Sequence, residues 1–375
     1  MNRNLTFVVV SLLFWGIGEG MFLNFVPIYL GKEFALGEEQ IGLALGMFGF
    51  FSAITHMPSG YLADRIGRRP LLITAWILGL ASTFTMGIST ALPFYLVGLF
   101  GYGLTAFVSS PLSSYVTAAR GEMPVGTALS LVSASFNIGM ALGPVTGGWI
   151  GDHYGMRMSY LVAAVIFLFS VASIFFIKNQ PLDKHDPEAP PVTLWKNRGF
   201  ISFLGMVGFA VFAMYLAQPL TPNFLEGVRK FSLSDTGWIF SAGALGNALF
   251  AIGFSRLDPR RGFLFAQVLV VLFALIMWKG FGLPLFMLGY FLLGGFRAAR
   301  PMAQAQGREL VHQSQMGLMY GTLETVNATI FIFTPPLAGY LFVIDPFLIY
   351  PLAMGLITLA MISTFIFSYR KVQHA

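Results

Sequence analysis

The chain has 375 residues, of which 56% are hydrophobic and only 10% charged, with a mean hydropathy of +0.74. Soluble domains carry about 25% charged residues, so this chain lacks the polar surface to face water and reads as a polytopic membrane protein. It has no cysteine, which excludes disulfides and thiolate metal sites. Its formal net charge of +6 comes from cations in loops beside apolar runs, a pattern of membrane orientation and not of nucleic-acid binding.

Twelve apolar segments follow one another, at about 5–30, 38–63, 70–89, 92–119, 123–151, 157–177, 199–225, 233–255, 262–279, 283–309, 315–341 and 346–369. Several exceed the roughly 20 residues that span a bilayer, which implies tilt or extension beyond the hydrocarbon. No small-residue cleavage site follows the first, so it reads as a span and not as a removed signal. That segment carries an acid, Glu19, between Gly18 and Gly20. The second ends in a charged turn, Gly60-Tyr-Leu-Ala-Asp64-Arg65-Ile-Gly67-Arg68-Arg69-Pro70. Its glycines allow close backbone approach, and Pro70 suits the first turn of the next helix.

The fourth segment carries a polar stripe of Tyr102, Thr105, Ser109 and Ser113 at helical spacing, and the fifth aligns Ser130 with Asn137. Ser and Thr can satisfy themselves on helix carbonyls, so such a stripe is by itself a weak signal. The fifth also contains Gly139-x-x-x-Gly143-Pro144-x-x-Gly147-Gly148, small residues that let helices meet backbone to backbone, with a proline that permits bending. The Pro-rich polar stretch 178–198 reads as a cytoplasmic linker between an N-terminal bundle, 1–177, and a C-terminal bundle, 199–375. The seventh segment offers Tyr215 and Gln218. The tenth places Arg297, Arg300, Gln304 and Arg308 on one face, and the eleventh aligns Tyr320, Glu324 and Asn327.

With both termini inside, fifteen lysines and arginines fall on the cytoplasmic side and five outside. The two halves repeat. Pro27, Leu30 and Gly42 recur as Pro222, Leu225 and Gly237, each offset by 195. Pro111 answers to Pro301, and Gly143-Pro144-x-x-Gly147 to Pro335-Pro336-x-x-Gly339. The arginine turn has a worn copy in Arg256-Leu-Asp258-Pro-Arg260-Arg261.

The charged turn closely resembles the loop between the second and third helices of the major facilitator superfamily. The resemblance implies an all-α integral membrane fold of twelve transmembrane helices in two six-helix pseudo-symmetric bundles. It also implies a conformational latch at Gly60, Asp64, Arg65, Gly67, Arg68 and Arg69. The Gly143, Pro144 and Gly147 run resembles that family's helix-bending fifth-helix motif, associated mainly with exporters. In one place the chain departs from the family: the arginine often found near the start of the fourth helix is missing from Tyr95–Phe100. That puts a simple transfer of proton-antiport chemistry in doubt.

Four ionisable residues lie inside predicted spans: Glu19, Arg297, Arg300 and Glu324. Each costs about 2.5–3.5 kcal/mol at the bilayer centre, so a polar cavity or partners must accommodate them. At 1.5 Å per residue, Glu19 and Arg297 fall roughly 18 and 16 Å deep, near the midplane, while Arg300 and Glu324 share a depth of roughly 13 Å. Two internal salt bridges that merely hold helices together are the plainer reading of the four. No ATP-binding loop, metal-ligand spacing or nucleophile–base pair is visible, so the chain is not expected to be an enzyme or to need a cofactor or metal.

The expected function is secondary active transport of a small organic solute by alternating access, as proton-coupled export, in a monomer of the plasma membrane. Glu19 is the proton-coupling candidate. Arg297, Arg300, Gln304, Tyr102, Tyr215, Gln218, Glu324, Asn327 and Asn137 are candidates for binding an anionic or zwitterionic substrate. Uptake or facilitated diffusion of an organic anion or lysolipid-like amphiphile, and a non-transporting receptor on the same fold, stay open as alternatives.

Overall fold

The computed structural model describes residues 2–180, 197–254, 257–311 and 316–373, without the side chains of 56–65, 110, 316–318 and 368–373. The expected linker therefore lies largely outside the described residues, as do the side chains of Gly60, Asp64 and Arg65 in the expected latch. Helix α1 is Arg3–Phe22, α2 Val26–Phe34, α3 Glu38–Ile66, α4 Arg68–Ile88, α5 Leu92–Leu104, α6 Ser109–Ala119, α7 Val125–Tyr154 and α8 Met156–Phe175. Then come α9, Arg198–Leu216, and α10, Thr221–Asn223, followed by a π-helical turn at Phe224–Val228. The last five are α11 Leu233–Phe254, α12 Pro259–Lys279, α13 Leu283–Arg308, α14 Met316–Ile344 and α15 Ile349–Gln373. No strand occurs among the described residues.

All twelve predicted segments contain helix, and three are interrupted for one reason. Proline lacks an N–H and its ring strikes the carbonyl four residues back. Pro27 acts in this way on Leu23, which opens the 3-10 turn Leu23–Phe25 between α1 and α2. Pro111 acts on Phe107 inside the turn Thr105–Val108 between α5 and α6, and Pro222 on Gln218 between α9 and α10. By contrast α7, α13 and α14 run on through Pro144, Pro301 and Pro335-Pro336. Among the described residues nine helical stretches are long and apolar enough to cross a membrane, and α5 with α6, bent by 41°, adds a tenth if the pair is one span. Helix α13 has the length, but Arg297, Arg300 and Arg308 lower its hydropathy. This is an all-α integral membrane architecture.

The chain falls into two compact units. The first comprises Met1–Gly37, Met47–Lys184 and Pro222–Ala244, the second Glu38–Gly46, His185–Thr221 and Leu245–Ala375. In the first, α1 packs on α7 and α8, and α4 on α5 and α8. In the second, α12 packs on α13 and α15, and α9 on α14 and α15.

Helices α1 and α7 touch through bare backbone. A methyl group on Gly139 would fall on the Leu13 carbonyl, one on Gly147 on the Met21 carbonyl, and one on Gly143 on the Ile17 carbonyl and 2.7 Å from the Gly20 Cα. Close approach of this kind is how helices gain van der Waals contact in lipid, where burial of apolar surface between helices offers no advantage. A buried polar node ties α1 to α4 and α8. The Trp76 indole N–H donates to Ser11 Oγ at 2.6 Å and lies 2.8 Å from Ser170 Oγ, and each serine hydroxyl also reaches the other's carbonyl.

The repeat read in the sequence has a structural counterpart in each unit. In the first, Gly237 lies against the Pro144 carbonyl and Gly148 against that of Leu233. In the second, Gly42 lies against the Pro335 carbonyl and Gly339 against that of Glu38. Gly42 and Gly237 are the same repeat position, and so are Glu38 and Leu233, while Pro144 and Gly148 correspond to Pro335 and Gly339, one residue off the match of Gly143-Pro144-x-x-Gly147 to Pro335-Pro336-x-x-Gly339.

Gly143→Ala is expected to lower the stability of the detergent-solubilised protein by about 1–3 kcal/mol, the usual cost of overpacking. Gly205→Ala, at a glycine that faces open space, is the control and is expected to cost nothing. Equal melting temperatures for the two variants would show that the α1–α7 approach is not a tight constraint.

Candidate functional site

The first unit encloses a cavity of about 590 Å³ lined by α1, α3, α4, α5, α6 and α7. Its lining is largely apolar and aromatic, with Trp15, Phe48, Trp76, Tyr102 and Phe136 among the rings. Glu19 is the one carboxylate among the described lining residues, which include no lysine, arginine or histidine. Two neutral donors converge on its Oε2: the Trp15 indole N–H at 2.8 Å and the Tyr102 phenol O–H at 2.8 Å. Hydrogen bonds to an ionised group are stronger than neutral ones, and a low dielectric strengthens them further.

These donors are themselves fixed by packing. Trp15 stacks on Phe167, with centroids 4.6 Å apart, and contacts Trp76 at 4.9 Å. Tyr102 is 4% exposed and meets the edge of Phe22 at 5.1 Å. Trp15 precedes Glu19 by four residues, so both side chains leave α1 on the same face. That spacing was legible in the sequence, and it adds Trp15 to the site.

The rest of the predicted fourth-segment stripe does not converge on the carboxylate. Thr105 donates to the Tyr102 carbonyl, Ser109 to that of Ala106 and Ser113 to that of Ser109. On α7, Asn137 donates to the Ser133 carbonyl one turn back. These groups give the cavity wall some polarity, but each is already served by its own helix. Tyr102 alone of the stripe reaches across to α1.

The second unit holds the other charges. Arg300 and Glu324, expected at a common depth, form a two-pronged pair between α13 and α14, with Nε to Oε1 at 2.9 Å and Nη2 to Oε2 at 2.7 Å. Gln304 also donates to Glu324 Oε1, at 3.2 Å. The Arg300 side chain is 60% exposed and that of Glu324 33%, so the pair is open on one side. Arg297 is exposed on α13, next to Phe296, whose ring stacks on that of Tyr215 with centroids 6.0 Å apart. Tyr215 packs on Phe331, with centroids 4.5 Å apart, while Gln218, just past the end of α9, donates to the Met214 carbonyl of that helix. Asn327 lies one turn from Glu324, half-buried.

At the arginine turn, Gly67 takes φ +87°, a left-handed conformation that suits glycine. Arg68 is buried. Arg69 donates from Nε to the Ile177 carbonyl at 2.7 Å and from Nη2 to that of Phe175 at 3.3 Å. A guanidinium there satisfies carbonyls left open at the end of α8 and complements its dipole. The described part of the turn thus fastens α4 to α8.

An exposed pair is worth less than the 3–5 kcal/mol at stake when a fully buried one is broken. A double-mutant cycle of Arg300→Ala and Glu324→Ala in thermal stability is expected to give a coupling of about 0.5–3 kcal/mol. Additive losses would show that the pair contributes nothing as a pair.

Sequence comparison gives the family, and superposition on solved structures gives the fold. A sequence model described as Major Facilitator Superfamily matches residues 8–257. The multi-drug resistance efflux pump PmrA of Streptococcus pneumoniae is 30% identical over 259 residues, covering 64% of this chain and 61% of that protein. The multidrug resistance protein MdtG of Salmonella arizonae is 29% identical over 193 residues, covering 49% of this chain and 48% of that protein. The chain thus spans about half to three-fifths of the length of the curated relatives it matches. Among solved structures, the nucleoside transporter NupG superposes with a TM-score of 0.78 at 14% identity, covering 98% of this chain and 99% of that one. The human organic anion transporter MFSD10 superposes with a TM-score of 0.70 at 17% identity, covering 96% and 99%. At such identities these two likenesses speak for the fold alone. With the matched region covering two-thirds of its length, the chain belongs to the Major Facilitator Superfamily.

Proposed function

We propose that the protein is a secondary transporter that exports an amphipathic organic solute in exchange for protons, by alternating access. The observation that carries this reading is the Glu19 site: a carboxylate in the wall of a largely apolar cavity with several aromatic rings, held by Trp15 and Tyr102. One carboxyl can bind a proton or face a cation, but not both at once. That exclusion is what exchange of one for the other requires. Aromatic faces add cation–π attraction and apolar contact without demanding one substrate shape. A monovalent cation with aromatic or aliphatic bulk fits this chemistry best.

The sequence favoured an anionic or zwitterionic substrate because of Arg297 and Arg300. In the structure the Arg300 fork is engaged by Glu324, which moves the weight of the argument to the carboxylate. The names of the efflux relatives and the Gly143, Pro144 and Gly147 run support export. Arg297 still supports an organic anion as the second reading, with Tyr215 beside it in the same unit.

The test is accumulation of a lipophilic cation, such as ethidium, in proteoliposomes with and without an imposed pH gradient. Glu19→Gln is expected to abolish gradient-driven accumulation, and Glu19→Asp to retain part of it. Tyr102→Phe removes one donor to the carboxylate, an interaction worth about 1.5–3 kcal/mol, and is expected to slow accumulation about tenfold or more. Ser113→Ala, whose hydroxyl serves its own helix, is expected to change little. Undiminished accumulation in Glu19→Gln would remove Glu19 from the coupling mechanism, and transport of organic anions in place of cations would favour the second reading.

A further inference from the structure

A helix leaves its first four N–H groups without partners inside the helix. At the start of α11 the donors of Leu233, Ser234 and Asp235 all have partners. Asp235 N–H donates to Ser232 Oγ at 3.0 Å, and from Thr236 onward the helix bonds to itself, beginning with the Ser232 carbonyl at 3.0 Å. The other two leave the segment: Leu233 N–H donates to Asp152 Oδ1 at 3.0 Å and Ser234 N–H to Asp152 Oδ2 at 2.7 Å. One carboxylate on α7 therefore caps a helix 81 residues away in sequence.

Asp152 is badly placed for its own helix. It lies in the last turn of α7, where the helix dipole disfavours negative charge. At the α11 N-terminus the same charge is favoured. Gly148, one turn earlier on α7, lies against the Leu233 carbonyl, and Gly237, one turn into α11, lies against that of Pro144. The carboxylate thus closes the end of a seam in which the two backbones touch.

The second unit has the equivalent seam without the equivalent charge. There Gly339 meets the Glu38 carbonyl and Gly42 that of Pro335. The offset from Gly148 to Gly339 carries Asp152 to Val343, and the facing helix α3 begins with two acids of its own, Glu38 and Glu39. The two seams match in backbone and differ in electrostatics.

We propose that Asp152 is the fastener of the α7–α11 seam and that its release from the α11 N-terminus is a required step of the transport cycle. The inference rests on the alternating-access reading but on no particular substrate. The cation distribution assigns this end of α7 to the outer face, so the seam closes the outer side of the first unit. A second contact, the Lys32–Glu226 ion pair at 2.7 Å, joins the turn before α11 to α2 but does not reach the α11 N-terminus.

The absence of cysteine from the chain makes the test direct. Ser241 is buried on the face of α11 that carries Leu233 and Gly237. A Ser241→Cys reporter in the full-length protein, labelled from outside in intact cells by a membrane-impermeant maleimide, measures how often the seam opens. Adding Asp152→Ala is expected to raise the labelling rate at least threefold. Asp152→Asn, which keeps one acceptor oxygen and loses the charge, is expected to fall between that variant and the parent. If both variants label at the parent rate, Asp152 is not the fastener. If Asp152→Ala does not reach the membrane, Asp152→Asn decides alone: faster labelling supports the proposal and the parent rate overturns it. The readout involves no substrate, so a failure at Glu19 leaves it intact.

Discussion

The approach of α1 to α7, backbone against backbone, is the constraint on which the candidate site depends. Three faces of α1 are committed within two turns. Gly16 and Gly20 face α7, and Gly18 makes room for the Phe167 ring on α8, whose nearest atom would lie 2.5 Å from an added methyl group. Trp15 and Glu19 occupy the face left over, the one that meets Tyr102. A methyl group on any of those glycines would push α1 away from a neighbour and move the carboxylate off its donors. The glycines therefore set the chemistry of Glu19 although none of them has a side chain to offer it.

Low dielectric explains the division of labour among polar residues. Most hydroxyls of the interior answer to their own helix, as Thr105, Ser109 and Ser113 do. Such bonds are made wherever the helix stands. Other groups reach across helices, among them Tyr102 to Glu19, Trp76 to the two serines, Tyr95 to Tyr160, Arg69 to the end of α8, Arg300 to Glu324 and Asp152 to α11. These are the contacts whose making or breaking depends on how helices are arranged. They are also the contacts through which a bound charge can bear on helix position.

Helix content was legible because periodicity and run length are properties of one dimension. The Arg300–Glu324 pair followed from equal depth on neighbouring segments. The repeat named Gly42 and Gly237, which meet Pro335 and Pro144 in matching fashion, but its match of Gly147 to Gly339 is one residue off, since Gly148 holds that place in the structure. The three breaks were not foreseen, although Pro27, Pro111 and Pro222 were already marked as repeat positions. Pro144, Pro301 and Pro335 have the same local chemistry and leave their helices continuous, so local sequence does not separate the two outcomes. Asp152 was out of reach for a different reason. Its role comes from a partner far along the chain, and along its own helix it reads only as an ill-placed acid. Trp15 was within reach through its four-residue spacing to Glu19.

Glu19 also has a history set by the order of synthesis. Chains emerge N-terminus first, at about 5–20 residues per second. Tyr102 follows Glu19 by 83 residues, so at those rates it is made roughly 4–17 s later. The glycines of α7 come later still. During that interval the newborn first helix has one donor for its acid that travels with it, Trp15, four residues away on the same face. The indole thus serves twice: in the finished protein as one support of the carboxylate, and before that as the escort that accompanies an acid into the bilayer ahead of its other partners.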